Sequence, residues 1–94
     1  MDWKVGQLVI SKQGRDRGHS YLIAETAEHY CLLVDGRKVT YEKPKKKNYK
    51  HLQGTLINSG SMAQKWAQGE RISDREIRDL LNQYSLESGV KEVK

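Results

Sequence analysis

The chain has 94 residues and a formal net charge of +5; 36% of its residues are hydrophobic and 31% are charged. This length fits one small domain with an appendage, and the composition is typical of a modest core under a well-solvated surface. No run of about 18 apolar residues is present to span a membrane, and the single cysteine, Cys31, excludes an internal disulfide. Since no apolar leader follows Met1, we expect a cytoplasmic protein.

The positive charge is concentrated in the first half of the chain. Residues 1–53 hold 11 Lys and Arg against 6 Asp and Glu, whereas residues 54–94 hold 6 of each. An asymmetry of this kind predicts an anionic partner for the first half.

Short β-prone runs follow one another through the first half. They occupy residues 7–12, 19–26 and 29–34. Asp35-Gly36 is typical of a type I′ hairpin turn and predicts a return strand over 37–41. Pro44 interrupts that pattern, and residues 49–52 could form a short closing strand. We therefore expect a mainly β fold, with a small, strongly bent sheet or barrel over residues 1–53.

The second half changes to a helical period. Residues 54–61 have the composition of a linker, and a helix is predicted over 62–68 from a cap at Ser61. Ser73 and Glu76 form a capping box, and Ile72 and Ile77 stand at the positions of a hydrophobic staple.

The main helix is predicted over 74–87, with Gly89 as its stop. Its apolar face, together with Trp66, is expected to pack against the barrel or against a partner; the face consists of Ile77, Leu80, Leu81 and Tyr84. Residues 62–94 are thus expected to form a C-terminal helical hairpin or single helix.

The loop Gly-Arg-Asp-Arg-Gly at residues 14–18 is the first candidate site. Glycines let the backbone turn tightly, and the guanidinium groups of Arg15 and Arg17 suit bidentate contact with phosphate. Asp16 can orient one of these arginines or cap the turn. The alternative is a hairpin tip whose charges only keep it solvated.

A second candidate follows in residues 37–50. Seven cations occur there, opposed only by Glu42: Arg37, Lys38, Lys43, Lys45, Lys46, Lys47 and Lys50. Their mutual repulsion favours an anionic partner, and Tyr41, Tyr49 and His51 could stack on bases between them. A plain solvated lysine-rich loop is the alternative.

Signatures of catalysis are weak. The 14–18 loop has neither the spacing of a P-loop nor that of a dinucleotide site, and the three histidines with Cys31 lack zinc-ligand spacing. Cys31 is expected to be a small core residue. We expect no catalytic residue, no metal and no cofactor, and therefore a protein that is not an enzyme.

Residues 6–23 resemble the KOW motif, a strand-loop-strand element of ribosomal proteins and of NusG-type elongation factors. The continuation through Asp35-Gly36-Arg37-Lys38 and Lys43-Pro44-Lys45-Lys46-Lys47 is more specific. Together these motifs are similar to small bacterial KOW-domain RNA-binding proteins, which are themselves similar to KOW-type large-subunit ribosomal proteins of archaea and eukaryotes. The resemblance covers about residues 4–52, and residues 69–81 look like the helical tail of the same bacterial group.

The resemblance implies an SH3-like β-barrel, the KOW domain, that binds structured RNA without catalysis, in association with the ribosome. The RNA-binding residues it implies are Lys12, Arg15, Arg17, Arg37, Lys38, Lys43, Lys45, Lys46, Lys47, Lys50 and His51. The motif glycines are Gly6, Gly14, Gly18 and Gly36. The helical tail is not part of the basic KOW unit, and its neutral charge indicates that it meets a ribosomal or transcription protein, or packs on the barrel, rather than RNA. We expect neither a membrane nor a small-molecule substrate.

Two alternatives stay open at this point. One is a protein-interaction module of the NusG-like KOW kind that links transcription or ribosome components. The other is a duplex-DNA binder, which is disfavoured because the only long predicted helix carries no net positive charge.

Overall fold

A computed structural model describes residues 2–88, with side chains described up to residue 84. The strands are β1 (Gln7–Ser11), β2 (Ser20–Thr26), β3 (Tyr30–Val34), β4 (Lys45–Asn48) and β5 (Leu52–Asn58), with a 3-10 turn at Tyr49–His51 between the last two. The helices are α1 (Gly60–Ala67) and α2 (Asp74–Ser88). All strand pairs are antiparallel, in the order β4-β3-β2-β1-β5. The expected mainly β class, with helices at the C-terminal end, is confirmed.

The sheet buries apolar side chains on both faces. Successive residues of a strand point to opposite faces, so Leu8 and Val9 enter different clusters. One cluster, here called the helix-side core, consists of Leu8, Leu22, Val34, Met62, Ile72 and Ile77. The other, here called the inner core, consists of Val9, Tyr21, Ile23, Cys31, Leu33 and Leu52. Cys31 is fully buried, as expected of a small core residue.

The predicted return strand at residues 37–41 is wrong. Residues 36–39 are bends, and the strand that pairs with β3 is β4, which begins directly after Pro44. The cause is the Asp35 side chain, whose Oδ1 accepts hydrogen bonds from the backbone N–H groups of Arg37 and Val39 at 2.8 and 3.0 Å. Those N–H groups are thereby diverted from a strand ladder. Pro44 stands at the start of a sheet-edge strand, where a missing donor is tolerated.

The predicted linker at 54–61 is wrong as well, since most of it belongs to β5. The expected closing strand at 49–52 is mostly the 3-10 turn, and the closing strand runs on to Asn58. Its Gln, Gly, Thr and Asn residues read as a loop in sequence. In the fold they are held by β1: Thr55 Oγ1 donates to the carbonyl of Leu8 at 2.7 Å, and Gln7 Nε2 donates to the carbonyl of Thr55 at 3.0 Å.

The helices begin at capping serines. The N-cap of α1 is Ser59, whose Oγ accepts from the N–H of Met62 at 3.2 Å, so the predicted start at Ser61 is wrong by two residues. For α2 the predicted cap is confirmed, because Ser73 Oγ accepts from the N–H of Glu76 at 3.1 Å. The Glu76 carboxylate accepts from Lys65 Nζ of α1 at 2.7 Å and so ties the two helices together. The expected stop at Gly89 lies outside the described residues.

Both helices pack on the sheet. Met62, Ile72 and Ile77 are fully buried in the helix-side core, and the half-buried Trp66, Leu80, Leu81 and Tyr84 pack around it. The choice left open by the sequence, barrel or partner, is therefore resolved in favour of the sheet. No helix within residues 2–88 has the length and apolarity needed to cross a membrane.

Candidate nucleic-acid interface

The loop between β1 and β2 is a tight, hydrogen-bonded turn. Gly14 and Gly18 have backbone φ angles of 93° and 86°, which residues with a side chain rarely adopt. The N–H of Gly18 donates to the carbonyl of Ser11, and the N–H of His19 donates to the carbonyl of Asp16, both at 2.8 Å. The loop therefore presents its side chains from a fixed backbone.

Asp16 lies at the centre of this loop and accepts four side-chain hydrogen bonds. Its Oδ1 accepts from Ser11 Oγ at 2.8 Å and Lys47 Nζ at 3.0 Å, and its Oδ2 accepts from Tyr21 OH at 2.7 Å and Lys45 Nζ at 2.9 Å. Only 14% of its side chain is exposed. Burial alone would raise the pKa of the Asp16 carboxyl, but these four donors outweigh burial and hold the pKa well below its usual range.

Asp16 therefore joins two segments that are distant in sequence. The sequence left two roles open for this carboxylate, to orient an arginine of its own loop or to cap the turn. In the structure it holds two lysines of β4, about 30 positions further on. Lys45 and Lys47 alternate with Lys46 along the strand and so share one face of it. Lys46 points the other way and lies over the Tyr30 ring, 4.3 Å from its centroid.

A concavity of about 530 Å³ opens beside this junction. It is here called the cationic pocket. Its cations come from three segments: Arg15 from the loop, Arg37 and Lys38 from the bends after β3, and Lys45 from β4. The remaining lining residues are Asp16, His19, Tyr21, Asp35 and Val39.

His19 forms one wall of the cationic pocket and was not among the predicted site residues. Its Nε2 lies 2.8 Å from Oδ2 of the buried Asp35, and its ring meets the Tyr21 ring edge-on at a centroid distance of 4.8 Å. Burial would raise the pKa of Asp35, but hydrogen bonds from the N–H groups of Arg37 and Val39 and from His19 hold it below its usual range. In sequence, the one signal for His19 was its place directly after Gly18.

The other predicted residues are divided among several places. Lys12 and Arg17 line a second concavity of about 760 Å³, next to Gly18 and Gln53, so the two loop arginines serve different hollows. The exposed Lys43 and Lys50 line neither concavity. His51 accepts at its carbonyl from the N–H of Lys12 at 2.8 Å, and its Nδ1 is buried without a hydrogen-bond partner in the described structure. Only some of the predicted basic residues therefore lie together around the cationic pocket.

The two tyrosines expected between the cations are already stacked within the protein. Tyr41 stacks on Trp66 at a centroid distance of 6.1 Å, and Tyr49 stacks on Trp3 at 4.8 Å. Tyr49 OH also donates to the carbonyl of Ala27 at 2.6 Å. Of the aromatic rings near the basic segments, His19 is the one that opens into the cationic pocket with 45% of its side chain exposed.

The motif glycines serve turns and close approaches. A side chain at Gly6 would come within 2.7 Å of the carbonyl oxygen of Ser59, at the start of α1. One at Gly36 would overlap the carbonyl oxygen of Asp74, at the start of α2. Gly6 and Gly36 therefore allow the helices to dock on the sheet.

The described residues include no group of three or more His, Cys, Asp or Glu side chains arranged to hold a metal ion. Burial raises the pKa of the Cys31 thiol to about 12, which keeps it protonated and unreactive at neutral pH.

No model of a known protein family matches this sequence, and no curated protein matches it significantly.

Proposed function

We propose that this chain is a non-catalytic, cytoplasmic RNA-binding protein that associates with the ribosome and grips RNA phosphates through the cationic pocket and its rim. The observation that carries the proposal is the bridge from Asp16 to Lys45 and Lys47, at 2.9 and 3.0 Å. It draws the arginine-bearing loop and the lysine-rich strand to one face of the molecule. Cations from separate segments that meet on one fixed surface are typical of phosphate recognition.

The proposal includes the fold family that the sequence resembles. We infer that the sheet is an SH3-like barrel of the KOW kind, in which β1, the 14–18 loop and β2 are the strand-loop-strand motif. Two features support this inference. Register shifts between Gln7 and Val9 and between Ile23 and Glu25 bend the sheet, and the inner core fills the face turned away from the helices.

The charge count of the surface sets the expected strength of its salt dependence. Asp16 already offsets one of the two positive charges of Lys45 and Lys47. Arg15, Arg37 and Lys38 are exposed. If about five to seven cations contact phosphates, the logarithm of affinity should fall against the logarithm of salt concentration with a slope of roughly −4 to −6. Filter binding to purified ribosomal RNA measures this slope, and a flat response would overturn the proposal.

A matched pair of variants tests the surface itself. Arg15→Gln with Lys38→Gln removes two exposed positive charges from the cationic pocket, and Lys4→Gln with Arg75→Gln removes two exposed charges outside it. We expect the first pair to weaken RNA binding about tenfold or more and to flatten the salt slope by about 1 to 2, and the second to change both much less. Equal losses in the two pairs would mean that only net charge matters. Crosslinking in cells, followed by sequencing of the attached RNA, then tests for ribosomal RNA.

A second candidate function, a protein-interaction module, is favoured by a separate groove. This apolar groove of about 530 Å³ lies between the sheet and α1, and Ala24, Leu32, Tyr41, Pro44 and Trp66 are among its lining residues. Retention of a ribosomal or transcription protein by the Arg15→Gln, Lys38→Gln variant, after loss of RNA binding, would favour this function.

A further inference from the structure

We propose that the cationic pocket holds a single unpaired RNA nucleotide, with its base against the His19 ring and its flanking phosphates at Arg15, Arg37 and Lys38. This inference rests on the proposed RNA-binding function and narrows the ligand from RNA in general to RNA with a nucleotide outside the helical stack.

The His19 ring is a stacking surface that neighbouring side chains already hold in place. Its ring is held on one edge by Asp35 at 2.8 Å and is supported by the edge-on contact with Tyr21. Nearly half of the side chain still faces solvent within the pocket. Unpaired bases stack on aromatic side chains, His included, and a ring that is already fixed loses little freedom when a base arrives.

Charge is distributed unevenly within the cationic pocket. Asp16 and Asp35 line it at the base of the loop and the end of β3, while Arg15, Arg37 and Lys38 are exposed around it. Both carboxylates already accept hydrogen bonds from protein groups. Lys45 and Lys47, which are paired with Asp16, offset the negative charge, so the floor of the pocket carries little net charge. The lining therefore favours a neutral base inside and the charged backbone at the rim.

The size of the cationic pocket suits a small ligand. A volume of about 530 Å³ falls in the range of about 300–1,000 Å³ that is usual for small-molecule sites. In a paired helix the bases are stacked inside and only the backbone would reach such a hollow. A bulged or loop nucleotide can enter the pocket. Because such a nucleotide is already outside the helical stack, binding requires little further unstacking energy.

Two RNA hairpins with the same stem test the inference. One carries a single bulged 2-aminopurine, and the other carries the same base paired within the stem. Fluorescence anisotropy of an end label measures affinity, and 2-aminopurine emission reports stacking on the protein. We expect the bulged hairpin to bind about tenfold more tightly and its emission to be quenched on binding, since one base stack changes affinity by roughly that factor or more.

Variants of His19 assign the effect to the ring. His19→Ala is expected to remove the roughly tenfold preference, whereas His19→Phe, which keeps an aromatic surface, is expected to retain it. His29→Ala is the matched control, because His29 is 81% exposed and lies outside the pocket. Circular dichroism melts of each variant verify that it is folded.

The outcomes separate the inference from the function on which it rests. Salt-dependent binding of equal strength to both hairpins, or a preference that His19→Ala leaves intact, would overturn the inference and leave the RNA-binding proposal standing. If the protein binds neither hairpin and does not bind ribosomal RNA, the inference and the RNA-binding proposal are both overturned.

Discussion

At the scale of single residues, Asp16 is the side chain on which most of the candidate site depends. Its four donors come from β1, from β2 and from β4, so this one carboxylate joins three strands to the loop that carries it. The two lysines would otherwise repel each other, and Tyr21 OH would lose its acceptor. Removing a buried carboxylate from such a network destabilises the fold, because its former donors stay buried without an acceptor.

We expect Asp16→Asn to lower the free energy of unfolding by at least about 2 kcal/mol at neutral pH. The pKa of Asp16 is lower in the folded protein than in the unfolded chain, where Asp titrates at about 3.9. The stabilisation is therefore fully present above that pH and is lost as the pH falls through the folded pKa.

Urea unfolding midpoints measured from neutral pH down to about 3 test both parts of this expectation. The Asp16→Asn variant should lose less stability over the acid range than the parent, and Asp79→Asn, at an exposed position of α2, should behave like the parent. Parallel acid curves for the parent and Asp16→Asn would contradict the role given to this carboxylate.

The site could be predicted from the sequence only in part. Runs of basic residues indicated which segments matter, but not which lysines face Asp16 and its loop. That depends on the register of β4 against β3, in which Lys45 is opposite Leu33 and Lys47 is opposite Cys31. The role of His19 depends on the position of Asp35, which is 16 residues away along the chain and adjacent only in the fold.

At the scale of elements, side-chain to backbone hydrogen bonds explain both the successes and the errors. The first three strands were predictable because their apolar residues are continuous and bounded by glycine or polar turns. The prediction of a return strand was wrong because the Asp35 carboxylate accepts hydrogen bonds from two backbone N–H groups of that segment. The prediction of a linker was wrong because the polar residues of β5 are held by pairing and hydrogen bonds with β1, a partner strand that the local sequence does not reveal.

The serine caps provide a test at this scale. Ser59→Ala and Ser73→Ala should each lower the free energy of unfolding by about 1 kcal/mol, because each removes the acceptor for a first-turn N–H. Ser61→Ala lies within the first turn of α1 and should be nearly neutral. Chemical denaturation measures all three, and a larger loss at Ser61 than at Ser59 would mean that α1 begins where the sequence first suggested.

At the scale of the whole molecule, the helices and the sheet share one core. Met62, Ile72 and Ile77 are fully buried against Leu8, Leu22 and Val34. A barrel over residues 1–53 followed by a separate tail at 62–94 would leave those sheet residues facing water. The packing instead indicates one cooperative unit.

A chain that ends at residue 58 should therefore lack a cooperative urea transition and should bind hydrophobic dyes. As a comparison, full-length Ile77→Ala should lose about 2–4 kcal/mol of stability and still unfold in a single transition. Well-dispersed amide resonances from the shortened chain would show that the sheet is an independent domain.

The seating of α2 on Gly36 has a consequence for how the tail could evolve. Arg78 Nη1 donates to the carbonyl of Gly36 at 2.6 Å, and Asp74 Oδ1 accepts from the N–H of Tyr41 at 2.8 Å, so the helix clasps the bends that carry Arg37 and Lys38. Although α2 has no net positive charge, it thereby fixes the positions of two cations of the pocket, Arg37 and Lys38. A change in this C-terminal segment would therefore move Arg37 and Lys38 without altering any residue that lines the cationic pocket.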